Sequence, residues 1–313
     1  MTTAATTQPR HPSGEQHTIA YDAATAVVTQ VGATLRTLAF DGLDVIDGFA
    51  ADERAADGRG QVLAPWPNRI AGGRYSFDDV ECQAPLNEPA RHNAIHGLVR
   101  WLDWELLARE GASVELGCSL RPQPGYEWGL DLRVRYALAA DGLTVSMHVT
   151  NVDGRTAPFG AGFHPYLTLG GNIDRLELTV PAGDRLDGDP DERPVWEPVA
   201  GTPWDFSRSR QVSDTQLDTA YGRLLRDEDG TATARITDPD TGNGLELWVD
   251  AAYRYLMVYT GDQVGRPERR RRAVAVEPMT CPPGAFRSGV DVVELEPGDS
   301  WSGSWGIRPT SRS

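Results

Sequence analysis

Residues 129–151 read GLDLRVRYALAADGLTVSMHVTN and carry the clearest structural signal in the chain. Apolar and polar residues alternate, the alternation stops at Asp141-Gly142, and it then resumes to the end of the stretch. The apolar positions are Leu130, Leu132, Val134, Tyr136, Leu138, Leu143, Val145, Met147 and Val149. A period of two places every second side chain on one face of a β-strand, and Asp-Gly is a favoured hairpin turn. The stretch therefore predicts a β-hairpin with one buried face.

Similar short segments recur along the whole chain, and glycine- and proline-rich turns separate them. They are TAVVTQ (25–30), ATLRTLAF (33–40), SVELGCSLR (113–121), DRLELTV (174–180), GLELWVD (244–250), RYLMVYT (254–260) and AVAVEP (273–278). Many strands with few helical patterns predict an all-β fold, a large antiparallel β-sandwich. No repeat of fixed period is present, which argues against a propeller.

The remaining segments complete the predicted organisation. Brief helices are predicted at residues 51–58 and 213–223, and the arginine run at residues 269–272 is interpreted as a hairpin tip. Residues 1–16 are polar and predict a flexible N-terminal tail. No shift in composition marks a second domain, so we expect a single β-sandwich domain over residues 17–309.

Composition excludes several classes of protein. The net charge is −15, which argues against nucleic acid or an anionic membrane as the main partner. The chain contains no lysine, so Schiff-base aldolases, pyridoxal enzymes and Walker-A phosphate loops are excluded as self-contained activities. Three cysteines without C-x-x-C spacing and no secretory signal favour a cytoplasmic location. We expect a monomer or a homodimer.

Candidate chemistry lies in four loop-like segments rather than in the alternating strands. They are APWPNRIAGGRYSF (64–77), NAIHGLVR (93–100), FGAGFHPYL (159–167) and AVEPMTCPPGAF (275–286). His164 follows a glycine-rich run and precedes a proline, where it is either a catalytic imidazole or a buried ring bonded to the backbone. Glu277 ends a strand-like segment, where it is either a general base with a raised pKa or part of a surface ion pair. A zinc site formed by His96, His164 and a carboxylate is a third, weaker interpretation.

The four segments together resemble the aldose 1-epimerase (galactose mutarotase) family. The motifs that carry the resemblance are NRI with GRYSF, HGLVR followed by W, HPY, LDTAYG and VEPMTCPPGAF. They occur in the family's order, and the similarity extends from about residue 21 to the EPGDSW segment at residues 296–301. The family's fold is a large antiparallel β-sandwich, in agreement with the alternation.

The resemblance implies an activity and a set of site residues. The family interconverts α and β anomers of a hexose such as glucose or galactose, with no metal, nucleotide or other cofactor. By position in the motifs, His164 would be the general acid and Glu277 the general base. The residues that would bind the sugar are Arg69, His96, Asp218 and, as a weaker candidate, Asn68. Trp66, Tyr126 or Trp128 either stack on the sugar or belong to the core.

Two departures leave the substrate open. APFGAGF precedes HPY and APWP precedes the NRI motif, which looks more like a bacterial subgroup resembling sulfoquinovose mutarotase. A sulfonated or phosphorylated hexose would need further cations, and Arg74, Arg91 and Arg100 are the candidates near in sequence. Two other functions stay open: a non-catalytic carbohydrate-binding β-sandwich, and a glycosidase that uses Glu277 and Asp218 as its carboxylates.

Overall fold

The computed structural model describes residues 11–187 and 195–310 of the chain. The first nine strands are β1 (Gln16–Tyr21), β2 (Ala24–Thr29), β3 (Leu35–Phe40), β4 (Leu43–Asp44), β5 (Val62–Leu63), β6 (Arg69–Ala71), β7 (Arg74–Phe77), β8 (Val80–Gln83) and β9 (Asn93–Ile95). The next nine are β10 (Glu105–Glu110), β11 (Ser113–Leu120), β12 (Leu130–Ala139), β13 (Gly142–Asn151), β14 (Ala157–Phe159), β15 (Gly162–Phe163), β16 (Tyr166–Leu167), β17 (Glu177–Thr179) and β18 (Ala182–Asp187).

The last nine strands are β19 (Val195–Pro198), β20 (Arg210–Gln211), β21 (Asp218–Leu224), β22 (Ala232–Thr237), β23 (Gly244–Val249), β24 (Tyr255–Tyr259), β25 (Val274–Met279), β26 (Val293–Leu295) and β27 (Ser300–Thr310). The helical elements within the described ranges are one turn of α-helix, α1 (Ala285–Ser288), and three 3-10 helices (Pro89–Arg91, Ile173–Arg175 and Pro267–Arg269). The predicted all-β fold is confirmed.

A nine-stranded antiparallel sheet contains the hairpin that the sequence predicts. Its strand order is β10-β11-β12-β13-β27-β23-β22-β17-β20. Leu130 pairs with Asn151 and Ala139 pairs with Gly142, so β12 and β13 join in register through the Asp-Gly turn. Along β12, buried residues alternate with exposed ones, apart from the partly buried Ala137. The period of two in the sequence therefore corresponds to the buried and exposed faces of this sheet.

An eight-stranded sheet covers the buried face of the first one. Seven of its strands follow the order β19-β18-β21-β24-β25-β15-β5, and β16 also pairs with β25. Apolar side chains from both sheets belong to one core cluster. Phe163 on β15 and Trp305 on β27 bring their ring centroids to 5.1 Å across the two layers. The predicted β-sandwich is thus confirmed, and one of its layers contains β25, the strand of Glu277.

Both predicted helices are wrong. Residues 51–58 form turns, and residues 213–223 contain most of β21. Strand β21 pairs with β18 on one side and β24 on the other. Tertiary pairing of this kind overrides a weak local preference for helix.

The predicted tail and the arginine run have separate outcomes. Residues 1–10 lie outside the described residues, and Gln16 is already the first residue of β1. The arginine run lies in the connection between the antiparallel pair β24 and β25. Within it, Arg271 forms ion pairs of 2.6 Å with both Asp174 and Asp262. None of the helices in the described ranges has the length and apolarity required to cross a membrane.

Substituting the buried face of the central hairpin will destabilise the protein. Leu132 is 1% exposed on β12, and Leu132→Ala should lower the free energy of unfolding by about 2–5 kcal/mol because it leaves a cavity. Arg133, its exposed neighbour on the opposite face, provides the control: Arg133→Ala should stay within about 0.5 kcal/mol of the wild type. Urea denaturation measures both. Equal losses would contradict the assignment of the two faces.

Candidate active site

A cavity of about 720 Å³ brings together all six residues that the sequence predicts for the site. They are Asn68, Arg69, His96, His164, Asp218 and Glu277. The strands of the eight-stranded sheet supply one wall, and the turns around β6 and β9 supply others. The volume is within the range of small-molecule sites in proteins.

Strand register places His164 opposite Glu277. Strand β25 pairs with β15 through Gly162 and Met279, and with β16 through Tyr166 and Ala275. Counting inward from both pairs makes His164 the partner of Glu277. The distance from His164 Nε2 to Glu277 Oε1 is 3.4 Å, and both side chains are buried.

Burial sets the protonation of this pair. Burial raises the pKa of the Glu277 carboxyl well above its ordinary value, and the charge of Asp218 adds to this rise, while Arg69 opposes it. Burial also lowers the pKa of His164 to about 3, and Arg100 and Arg59 contribute to the decrease. Both shifts favour the form of the pair in which Glu277 carries a proton and His164 is neutral, so that both side chains are uncharged.

A shared proton gives the pair two useful forms. In one form Glu277 carries the proton and His164 is neutral. In the other the carboxylate is a base and the imidazolium is an acid. The two forms differ only in which of the two groups, 3.4 Å apart, carries the proton. This arrangement can remove a proton from one atom of a ligand while it supplies a proton to another.

His96 and Asn68 fix each other through main-chain hydrogen bonds. The Asn68 N–H donates to His96 Nδ1 at 3.2 Å, and the His96 N–H donates to the Asn68 carbonyl at 2.9 Å. Burial, together with the proximity of His164, lowers the pKa of His96 well below its ordinary value. The neutral ring thus carries its hydrogen on Nε2 and can donate it to a ligand oxygen.

The same hydrogen bond bears on the zinc interpretation. One ligand atom each of His96, His164 and Glu277 lies within 4.8 Å of the others. However, the Nδ1 lone pair of His96 is engaged with Asn68 and its Nε2 carries the hydrogen. A metal-bound histidine usually donates its second N–H instead. The residues present therefore do not fit a metal site in this arrangement.

Glu88 orients Arg69, and the sequence analysis did not identify it. Arg69 Nε and Nη2 donate to the two carboxylate oxygens of Glu88 at 2.9 and 3.1 Å. Asn93 donates to the same carboxylate at 3.0 Å. Burial alone would lower the pKa of Arg69, but the hydrogen bonds with Glu88 raise it. Glu88 directly precedes the 3-10 helix Pro89–Arg91, and only the bidentate geometry in three dimensions reveals its role.

Asp218 lies nearer solvent than the buried pair. Its side chain is 48% exposed at the start of β21, and Arg91 Nη1 is 3.9 Å from its carboxylate. Asp218 pairs with Tyr259 across β24, and Met257 on that strand pairs with Glu277. Directly opposed residues share a face of a sheet. One sheet face therefore lines the cavity from its rim to Glu277.

The candidate cations differ in their surroundings. Arg91 and Arg100 line the cavity, whereas Arg74 lies outside it and donates to Gln83. Arg100 is 8% exposed and donates to Gln61 Oε1 at 3.3 Å and to the Ile95 carbonyl at 3.2 Å. Burial lowers its pKa to about 10. Within the described ranges, no carboxylate lies within 4.0 Å of its guanidinium, so its charge is without an acidic partner there.

The aromatic side chains at the cavity are not those considered from the sequence. Trp66, Tyr126 and Trp128 are at most 2% exposed and belong to the core. The aromatic residues that line the cavity are Trp101, Tyr166 and Tyr259. Trp101 is 48% exposed at the mouth. The alternation of apolar and polar residues does not identify them. Trp101 lies in a turn, Tyr166 in a strand of two residues, and Tyr259 at the end of β24.

Comparison with known proteins finds similarity over most of the chain. The family model described as aldose 1-epimerase matches residues 15–308. The chain is 33% identical over 291 residues to the uncharacterized protein YihR of Escherichia coli K12, which covers 92% of this chain and 91% of that protein. It is 31% identical over 177 residues to the galactose mutarotase of Rattus norvegicus, which covers 53% of this chain and 51% of that protein.

A solved structure shows the same fold at lower identity. The GalM/aldose epimerase homologue from C. elegans superposes with a TM-score of 0.83 at 20% sequence identity. The similarity covers 96% of this chain and 99% of that one.

Replacing the buried Glu277 carboxyl with an amide should make the protein gain stability relative to the wild type as the pH rises. The folded pKa of Glu277 lies above its unfolded value of about 4.5, so the folded state retains a proton that the unfolded state loses. Wild-type stability therefore decreases as the pH rises from about 4.5 to the raised pKa, and Glu277→Gln does not share this decrease. Urea denaturation at pH 4 and pH 8 should show the variant gaining stability relative to the wild type at the higher pH.

Glu246, whose side chain is 21% exposed and pairs with Arg235 at 2.7 Å, supplies the control. Glu246→Gln should show no such relative gain between pH 4 and pH 8. A stability difference between Glu277→Gln and the wild type that is independent of pH would contradict the raised pKa.

Proposed function

The chain belongs to the aldose 1-epimerase family of isomerases, and we propose that it interconverts the α and β anomers of a hexose such as glucose or galactose. The observation that carries the proposal is the buried His164–Glu277 pair, with 3.4 Å between Nε2 and Oε1, at the wall of the cavity. A binding protein for carbohydrate would have no use for two titratable groups buried at such a distance.

Ring opening uses the ionised form of the pair. The Glu277 carboxylate takes the proton of the anomeric hydroxyl, and the C1–O1 bond becomes a carbonyl. The electron pair of the C1–O5 bond moves to the ring oxygen, which takes the proton from His164 Nε2. After this step Glu277 is protonated and His164 is neutral, which is the form that burial favours.

Ring closure from the opposite face reverses both transfers. The aldehyde rotates about C1–C2, Glu277 returns its proton to O1, and His164 removes the proton from the attacking O5 hydroxyl. Arg69, held by Glu88, and the Nε2–H of His96 donate to sugar oxygens. Asp218 accepts from hydroxyls at the rim of the cavity, and Asn68 acts through its main chain on His96.

Both members of the pair should be required for catalysis. NMR of freshly dissolved α-glucose and α-galactose measures the approach to anomeric equilibrium against a buffer blank. Glu277→Gln and His164→Asn should each lower the catalysed rate by about 10²–10⁴-fold, the usual contribution of a general acid or base. His148→Asn and Glu246→Gln, on strands of the other sheet, should match the wild type. Full activity of Glu277→Gln would overturn the mechanism.

A second candidate substrate is a hexose with a sulfonate or phosphate group. Arg100 favours it because this buried guanidinium lines the cavity and no carboxylate of the described residues lies within 4.0 Å of it. An uncompensated buried charge is costly, and an anionic substituent would offset the cost. The other cavity arginines already have acidic neighbours: Arg69 has Glu88, and Arg91 lies 3.9 Å from both Glu88 and Asp218.

Arg100 should then distinguish anionic from neutral hexoses. Arg100→Met should raise KM for a 6-sulfonated or 6-phosphorylated hexose by about 10–100-fold, since charged hydrogen bonds contribute about 1.5–3 kcal/mol. KM for the neutral hexose should stay within about 2-fold, and Arg100→Lys should retain part of the preference. Exchange NMR at anomeric equilibrium measures KM for the wild type, Arg100→Met and Arg100→Lys with each sugar. An equal rise in KM for both sugars would refute the anionic substrate.

A further inference from the structure

The main chain of His164 is held by the segment at residues 57–61. The Gly60 N–H donates to the His164 carbonyl at 2.9 Å, and the His164 N–H donates to the Gln61 carbonyl at 3.2 Å. These bonds fix the backbone but leave the side-chain torsions free. A functional imidazole is usually oriented by a hydrogen bond from its second ring nitrogen. The Nδ1 of His164 is buried, and no other residue of the described ranges is its hydrogen-bond partner.

The Tyr166 ring covers one side of the imidazole. Its centroid is 4.9 Å from that of His164, with only 17° between the two planes. Tyr166 is itself 3% exposed, its hydroxyl donates to the Asp57 carbonyl at 2.9 Å, and the Arg59 guanidinium lies 4.7 Å from its ring centroid. Arg59 is held in turn by Asp57 at 2.8 Å and by Asp47 at 3.1 Å. Tyr166 is therefore a fixed surface on which the imidazole rests.

Gly58 approaches the edge of the same imidazole. A Cβ atom at this position would lie 2.5 Å from His164 Cδ2 and 2.9 Å from Nε2. Such distances do not occur between a Cβ and a ring, so a side chain here would force the ring and the Gly58 segment apart. Gly58 also has a φ of +77°, which glycine adopts without strain.

We propose that Gly58 and Tyr166 are positioning residues for the catalytic acid, which together orient His164 Nε2 toward Glu277 by packing instead of by a hydrogen bond. The proposal rests on the proposed function of His164, although the placement of its ring can be measured without any activity. Both residues line the cavity, but the role proposed for them does not require contact with the reacting atoms of the sugar. Gly58 and Tyr166 affect the reaction by setting the orientation of the His164 ring and its position in the cavity.

The decisive comparison is between two glycines of the same backbone conformation. Gly170 also has a φ of +77°, but a Cβ there would meet no atom within 4 Å. Both Gly58→Ala and Gly170→Ala introduce the same backbone strain, and only the first displaces His164. Gly58→Ala should lower kcat by up to about 10²-fold with KM within about 3-fold, because a misplaced catalytic group affects the chemical step. Gly170→Ala should retain wild-type kcat. Equal kcat values for the two variants would overturn the proposal.

Tyr166 is tested by two substitutions. Tyr166→Phe keeps the stacked ring and loses only the hydroxyl, so kcat should stay within about 3-fold of the wild type. Tyr166→Leu removes the stacked ring and should lower kcat at least 10-fold. Circular dichroism and thermal unfolding show whether each variant is folded. A Tyr166→Leu protein that is folded and keeps wild-type kcat would remove Tyr166 from the proposal.

The position of the His164 ring can be measured by ¹⁵N NMR without any enzyme activity, which tests this proposal separately from the proposed function. The His164→Asn variant identifies which signals belong to the His164 imidazole. The ring signals should shift in Gly58→Ala and Tyr166→Leu but not in Gly170→Ala or Tyr166→Phe. If the wild type accelerates no mutarotation but this pattern of shifts appears, the proposed function fails and the packing of His164 stands. If all four variants show the wild-type signals, the positioning proposal is wrong whatever the activity.

Discussion

Everything at the candidate site depends on two titratable side chains buried side by side. Antiparallel pairing of β25 with β15 and β16 makes His164 the cross-strand partner of Glu277, and the sandwich leaves them only 5% and 2% exposed at the wall of the cavity. A buried charge is costly, so the pair settles on one proton and no net charge. That single proton is also what a reversible ring opening requires, because each direction of the reaction begins with the form in which the other direction ends.

The surrounding arginines change the pKa values of Glu277 and His164 but do not reverse the direction in which burial shifts them. Arg69 favours the Glu277 carboxylate, yet burial and Asp218 prevail and the pKa stays raised. Arg59 and Arg100 disfavour a charged His164, in the same direction as burial. A bound sugar would replace solvent near the carboxylate with hydroxyl groups that donate hydrogen bonds, which favour its ionised form. Substrate binding would thereby bring the pair closer to the form that begins ring opening.

The fold could be predicted from the sequence because strand alternation is a local signal that the sheets preserve. The hairpin at residues 129–151 shows this: its period of two and its Asp-Gly turn both reappear in the register of β12 and β13. The candidate residues required the family resemblance as well, since nothing in the spacing of His164 and Glu277 indicates that they meet. Glu88 and Gly58 were missed because their roles consist of contacts with residues distant in the chain, which no local pattern encodes.

Backbone conformation explains why so much of the site lies in turns. A strand offers one face only every second residue, so β25 and its neighbours can present Glu277 but not a full set of groups around it. Three of the other groups lie on residues with left-handed backbone: Asn68 at φ 55°, His96 at φ 63° and Gly58 at φ 77°. Asn and His tolerate this region better than most residues, and glycine adopts it freely. Three sharp turns thus bring the Asn68 N–H, the neutral His96 ring and the Gly58 backbone close to the catalytic pair. The sheet holds the Glu277 carboxyl there.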